Sequence, residues 1–163
     1  MKNPPSWCNT PELREHWNKP WTVPVDGRKA RVFKRRLWEH GYLSPNFTRA
    51  ECKSKDGVAI PEELRGPAQK QAFRMERYRH AEGDKPISFL SWYRSPKQNA
   101  TVGGASQSQH MRACATDRTF NPTVAKRIWT TGGIGWAGPG IGNGAILHTD
   151  SRPGGSLAQW SYS

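Results

Sequence analysis

Two short polar segments constrain this chain more than anything else in it. They are Ser108-Gln109-His110-Met111-Arg112-Ala113-Cys114-Ala115-Thr116-Asp117 and, some thirty residues later, Leu147-His148-Thr149-Asp150. Any fold that uses their side chains as a unit has to bring the two together in space. On a strand, side chains two apart share a face, so His148 and Asp150 project to one side and Thr149 to the other. His110 and Asp117 are seven apart, which suits either two helical turns or a loop feeding a strand; the Gly- and Ser-rich lead-in favours the loop. Two neutral imidazoles and one carboxylate, from His110, His148 and Asp117, make a donor set suited to Zn²⁺ with one coordination position open. Asp150 is then left over as a general base. Surface His–Asp pairs with no metal share these residue types, and the types alone leave that reading open.

A length of 163 residues fits one domain with a modest extension. Hydrophobic residues make up only 34%, yet eight Trp, four Tyr and five Phe supply large apolar pieces for one core. Lys and Arg outnumber Asp and Glu to give a net charge of +12, which attracts polyanions. Nucleic acid, an anionic bacterial wall and a basic surface with no dedicated partner all satisfy that charge. Since no zinc-finger, helix-turn-helix or aromatic RNA-binding signature accompanies it, no specific nucleic acid is expected. The three cysteines, Cys8, Cys52 and Cys114, are odd in number and form no Cys-x-x-Cys pair, so no disulfide framework is expected and synthesis in a reducing cytosol follows. The sequence has no apolar window of about 18 residues, which argues against membrane insertion. Met1-Lys2-Asn3-Pro4-Pro5 lacks the apolar run of a signal peptide.

Residues 1–43 read as a basic, Trp- and Pro-rich extension, and 44–163 as the domain carrying the chemistry. Thr10 is expected to cap a short helix over Pro11 to Trp17. Arg28 to His40 reads as a basic amphipathic helix with Val32, Phe33 and Leu37, and either Trp38 or His40, toward the core, stopped by Gly41. Its outer face suits either polyanion docking or plain solvation. A longer helix follows Pro61 toward His80, with Gly66-Pro67 as a possible break. Pro86 to Tyr93 alternates like a strand, and Arg94-Ser95-Pro96 opens a polar loop through Asn99 to Gly103 and Gly104. Further strands are expected near Cys114 to Thr119 and over Ala145 to Asp150, with a helix over Pro122 to Trp129 and a flexible glycine-rich loop over Gly132 to Gly144 edging the cleft.

Ser108-x-His110-x-x-Ala113-x-Ala115-x-Asp117 resembles the Ser-x-His-x-x-Gly-x-Ala-x-Asp signature of the zinc D-alanyl-D-alanine peptidases, which share the hedgehog-like metallopeptidase fold. His148-Thr149-Asp150 is similar to the segment supplying that family's third ligand. Upstream, Ser91-Trp92-Tyr93-Arg94-Ser95-Pro96, Asn99 and Val102-Gly103-Gly104 through Ser108 resemble its Ser-Gly-Tyr-Arg-Ser-x-x-x-Asn and Gly-Gly-x-x-x-Ser-x-His pattern. The likeness spans about residues 44 to 152.

That resemblance implies an α+β fold in which a small antiparallel sheet carries zinc on His110, Asp117 and His148 and helices cover the other face. It implies a peptidoglycan peptidase, carboxypeptidase or endopeptidase, in which Arg94 donates to the scissile carbonyl oxygen. Asp150 is the nearest residue to assist proton transfer, and orienting a histidine stands beside that role as its alternative. Ser108, Tyr93 and Trp136 are the expected substrate contacts, with loop capping for Ser108 and core packing for Trp136 standing beside those roles. Two departures stand out. Ala113 replaces the usual Gly, and Ala145 occupies the place where many members carry an acidic base. A catalytically degenerate structural or wall-binding virion protein is therefore the second reading. The favoured setting is a phage endolysin or virion tail enzyme, made in the host cytoplasm, acting at the cell wall and contacting other tail proteins if virion-borne.

Overall fold

The computed structural model describes residues 2–24, 28, 30–119, 137–141, 146–153 and 160–161. The first helix, α1 (Pro11–Asn18), starts where Thr10 Oγ1 accepts from Leu13 N at 3.2 Å, and it turns Leu13 and Trp17 inward. Helix α2 (Arg31–Glu39) buries Phe33, Leu37 and Trp38. Val32, expected in the core, is 53% exposed. Phe33 and Leu37 define a stripe four residues apart, and Val32 lies one step, roughly 100°, off it. His40 is also outside, stacked on Trp7 with ring centroids 5.1 Å apart. The chain turns at Gly41, whose φ of +85° is open to a residue without Cβ. A hairpin of β1 (Tyr42–Ser44) and β2 (Phe47–Thr48) follows.

Helix α3 (Arg65–Ala81) is the axis of the molecule, and a 3-10 turn over Glu62–Leu64 leads into it. Gly66-Pro67 does not break it. Pro67 sits in the first turn, where a backbone N–H has no intrahelical acceptor to lose. The helix buries more than one face. Phe73 joins Leu13, Trp17, Val23, Phe33 and Leu37, so the N-terminal segment packs directly on α3. Ala68, Ala72, Met75 and Tyr78 join Leu43, Phe47, Ile60 and Trp92 in a second apolar cluster. At about 25 cal/mol per Å² of apolar area, such clusters supply most of the drive for folding.

Two expectations fail between α3 and the sheet. Residues 86–93 form no strand, only a single bridge between Ser91 and Asp117. Trp92 and Tyr93 are both buried, and consecutive residues cannot share one face of a strand. The polar loop after Arg94 contains helix α4 (Pro96–Thr101). Ser95 Oγ caps it by accepting from Gln98 N at 3.0 Å, and Pro96 fits its first position.

The sheet runs in the order β3-β5-β4-β6, built from β3 (Ala115–Thr119), β4 (Ala137–Ile141), β5 (Ile146–Asp150) and β6 (Trp160–Ser161). β3–β5 and β5–β4 are antiparallel, as expected, and β4–β6 is parallel. Residues 137–141, expected within a flexible loop, are the strand β4. Ladder bonds are made by backbone groups, so glycines can serve there at an entropic cost. The helix expected over Pro122 to Trp129 lies outside the described residues. No described helix is long and apolar enough to cross a membrane.

α3 covers the back of the sheet. Gln71 Nε2 donates to Thr116 Oγ1 at 3.0 Å and to Thr149 Oγ1 at 3.2 Å, and the two hydroxyls lie 2.8 Å apart. Because Thr116 and Thr149 face α3, their strand neighbours Asp117 and His148 face the front.

Candidate metal centre

The β3–β5 register sets Asp117 directly against His148 and Ala115 against Asp150. Partners opposite one another in a ladder share a face. Asp117, His148 and Asp150 therefore gather on the front of the sheet, which the alternation along β5 anticipates for the last two. His110 reaches the same place from a 3-10 turn over Gln109–Arg112 that feeds β3, so the loop reading of its spacing holds and the helical one does not.

Asp117 bridges the two histidines. Its Oδ1 lies 2.7 Å from His148 Nδ1 and its Oδ2 3.1 Å from His110 Nε2. The three side chains can each offer one ligand atom within 4.8 Å of the others. His110 Nδ1 is 2.6 Å from the Trp92 carbonyl, which can only accept. That nitrogen therefore carries the proton, and the Nε2 lone pair points at the Asp117 carboxylate. Two acceptors aimed at each other 3.1 Å apart call for a cation or a proton between them. Two nitrogens and a carboxylate oxygen are also the donor chemistry that zinc accepts, with one position left for a substrate or water.

The charges at His110 and Asp117 fit that arrangement. Burial lowers the pKa of His110 despite Asp117, which favours the neutral ring a metal needs. For Asp117 burial pushes the other way, but the close imidazoles of His110 and His148 outweigh it and hold the carboxyl well below the usual range. His148 runs the other way: burial lowers its pKa, but the nearby Asp117 and Asp150 carboxylates raise it overall, so a metal held there must displace a proton from it.

Asp150 is fully buried and both its oxygens are engaged. Arg152 Nε donates to Oδ1 at 2.8 Å, Arg152 Nη2 donates to Oδ2 at 2.5 Å, and His148 Nε2 stands 3.3 Å from Oδ2. Arg94 donates from Nη2 to Asp117 Oδ2 at 2.6 Å and from Nε to Ser91 Oγ at 2.9 Å. It lines a cavity of about 180 Å³ with Lys55, Leu90, Val102 and Asp117. A larger cavity of about 680 Å³, lined by Leu64, Pro67, Lys70, Cys114 and Ser151 among others, takes in none of the three donors.

The remaining expected residues divide. Ser108 Oγ accepts from His110 N at 3.3 Å and so caps the turn that presents His110. Tyr93 is buried in the larger apolar cluster and does not line the small cavity. Trp136 and Ala145 lie outside the described residues. Cys114 is buried and its thiol pushed up to about 11 by burial, the behaviour of a small hydrophobe. His40 and His80 stack on Trp7 and Trp21, and His16 meets Phe33 at a tilt, all away from the centre. Gly104 packs so closely on Asn99 that a Cβ there would come within 2.1 Å of Oδ1, which ties the Asn99 and Gly104 positions of the motif together.

Three supporting groups lie outside the expected set. Trp92 acts through its carbonyl, which no side-chain pattern reports. Gln71 sits mid-helix and reads as a solvent-facing amide until the sheet is laid against it. Arg152 alone had a signal, two residues beyond Asp150 in an extended segment and hence on its face.

A family model described as Peptidase M15 matches residues 42–132, more than half of the chain. His110 and Asp117 fall inside that range and His148 beyond it. The zinc D-Ala-D-Ala carboxypeptidase of Streptomyces albus G is 40% identical over 77 residues, which is 44% of this chain and 30% of that protein. The chain thus spans less than a third of the length of the curated relative it matches.

Proposed function

The chain belongs to the peptidase M15 family, and from that membership we propose that it is a zinc metallopeptidase hydrolysing amide bonds of bacterial cell-wall peptides. One observation carries the reading: the β3–β5 ladder pairs Asp117 with His148, and His110 Nε2 meets the same carboxylate at 3.1 Å. His110, Asp117 and His148 would hold the ion. Bound there, zinc supplies a Lewis acid for a carbonyl oxygen and lowers the pKa of water at its open position.

The chain's own residues supply the rest. The Trp92 carbonyl fixes the His110 ring with Nε2 toward the site. Asp150, buried and clamped by Arg152, accepts from His148 Nε2 and so presents Nδ1 to the site. We therefore assign Asp150 as the residue that positions His148, the arrangement in which a carboxylate orients a metal-binding imidazole. Arg94, held by Ser91 beside Asp117, is placed to donate to the carbonyl oxygen of the bond to be cut, where negative charge develops.

The specificity of the Streptomyces relative supports D-alanyl peptides as substrates. The charge of +12 favours an anionic wall and supports a phage lysin or tail-associated enzyme as the setting. Ala145, standing where the family pattern carries an acidic base, favours the second reading of a degenerate wall-binding virion protein. Release of new amino groups from purified peptidoglycan separates the two. The enzyme reading expects release that a chelator abolishes and added zinc restores, falling about 10²- to 10³-fold in Arg94→Ala. Wall binding with no release by the zinc-loaded protein would support the second.

A further inference from the structure

The cavity beside the metal centre holds a cation that the centre does not use. Lys55 lines it with Arg94 and Asp117, and Leu90 and Val102, 40% and 52% exposed, edge it with apolar surface. The loop that carries Lys55 is built to stay in place. Ser54 N donates to the Val58 carbonyl and Gly57 N to the Ser54 carbonyl, each at 2.9 Å. Ser54 Oγ in turn accepts from the backbone N of Ser95, the residue after Arg94, at 3.0 Å.

Nearby carboxylates are already committed. Asp56 accepts from Ser95 Oγ at 2.5 Å, and Asp117 is shared by two histidines and Arg94. Arg94 is committed as well, to Asp117 and Ser91. Among the described residues no carboxylate pairs with Lys55. An ammonium on a pinned loop, at the wall of a cleft with apolar edges and next to the bond-cutting site, is suited to a small apolar residue bearing a carboxylate.

We propose that Lys55 is a specificity-determining residue, pairing with a carboxylate of the bound peptide next to the bond held at His110, Asp117 and His148. The proposal rests on the peptidase reading above. That carboxylate has two sources, the α-carboxylate of a chain end or an acidic side chain on the neighbouring residue. The first makes the protein a carboxypeptidase, and the second allows cleavage within a longer peptide.

The test uses the full zinc-loaded chain and three acetylated peptides. One ends in D-Ala-D-Ala as the free acid, the second is its C-terminal amide, and the third is an amide with D-Glu as its last residue. Lys55→Gln should raise KM for the carboxylate-bearing partner about two- to fivefold at nearly unchanged kcat, the range for an exposed charge pair. Lys55→Arg should restore most of it, and the plain amide should be indifferent to either change. Dependence confined to the free acid identifies the chain end as the source, and dependence on the D-Glu amide identifies the side chain. Equal effects of Lys55→Gln on all three peptides, or none on any, would overturn the proposal.

Calorimetric binding of the same peptides keeps the two readings apart. Lys55-dependent binding without hydrolysis supports the carboxylate subsite and removes the peptidase, whereas hydrolysis indifferent to Lys55 removes the subsite and leaves the peptidase standing. Lys55 is exposed, so neither variant disturbs the core.

Discussion

Asp150 answers to two neighbours at once, Arg152 on both oxygens and His148 on one, and this division of its lone pairs is the ground for the positioning role proposed for it. A general base needs a lone pair directed at a proton on the substrate side, and a fully buried carboxylate held by a guanidinium offers none. Asp150→Asn should therefore weaken zinc binding about 10- to 100-fold, measured by competition with a chromophoric chelator. Unchanged affinity with lost turnover would make Asp150 the base instead. Ala113 poses a second question at this scale. It is fully buried at φ +55°, a left-handed conformation that costs an L-residue about 1–2 kcal/mol. Ala113→Gly relieves that strain but gives up a buried methyl, about 0.8 kcal/mol, and adds freedom to the unfolded chain, about 0.5–1 kcal/mol. Its urea midpoint should stay close to the parent's. Ala113→Val adds a branched side chain where the backbone already resists one, and should lose about 2–3 kcal/mol.

Among the elements, α3 joins the halves of the molecule through polar anchors as well as apolar ones. Gln71 ties it to the backs of both strands of the candidate metal centre, and Gln71→Ala should cost about 2–3 kcal/mol in urea unfolding by opening a cavity and stripping two hydroxyls of a donor. Glu76 ties α3 to the β1–β2 hairpin, accepting from Ser44 Oγ at 2.6 Å and from Asn46 N at 3.0 Å. Burial raises its pKa above 4.5 despite those bonds. The folded state then holds the Glu76 proton more tightly than the unfolded one. This group's contribution is most favourable below about pH 4.5 and is lost as pH rises through its folded pKa. Glu76→Gln should gain stability relative to the parent between about pH 4 and pH 7, read as the difference in urea midpoints, and a gain in the opposite direction would contradict the assignment. The elements also mark how far the sequence could be read. His148 and Asp150 were legible because strand alternation is local. Their pairing with Asp117 was not, since register depends on a partner some thirty residues away. Ser95-Pro96 carries a helix-start signal, but α4 is only six residues long and its polar composition reads equally as loop. Lys55 gave no signal of its own, since one lysine in a charged loop resembles any other until Arg94 and Asp117 are set beside it.

For the whole molecule, the basic surface and the metal centre are separable. A net charge of +12 attracts an anionic wall without chemistry, so retention on isolated peptidoglycan should fall steeply as salt is raised toward about 0.5 M, where screening is within a few ångströms. Turnover of a small neutral peptide should hardly change over the same range. The account's central claim concerns the metal, and the most direct measurement is the zinc content of the purified chain by elemental analysis, beside a His148→Ala variant. One zinc per chain in the parent and much less than one in a folded variant is the result the geometry predicts. A parent that takes up no zinc under non-chelating conditions, or a variant that holds it equally well, would contradict the assignment of His110, Asp117 and His148.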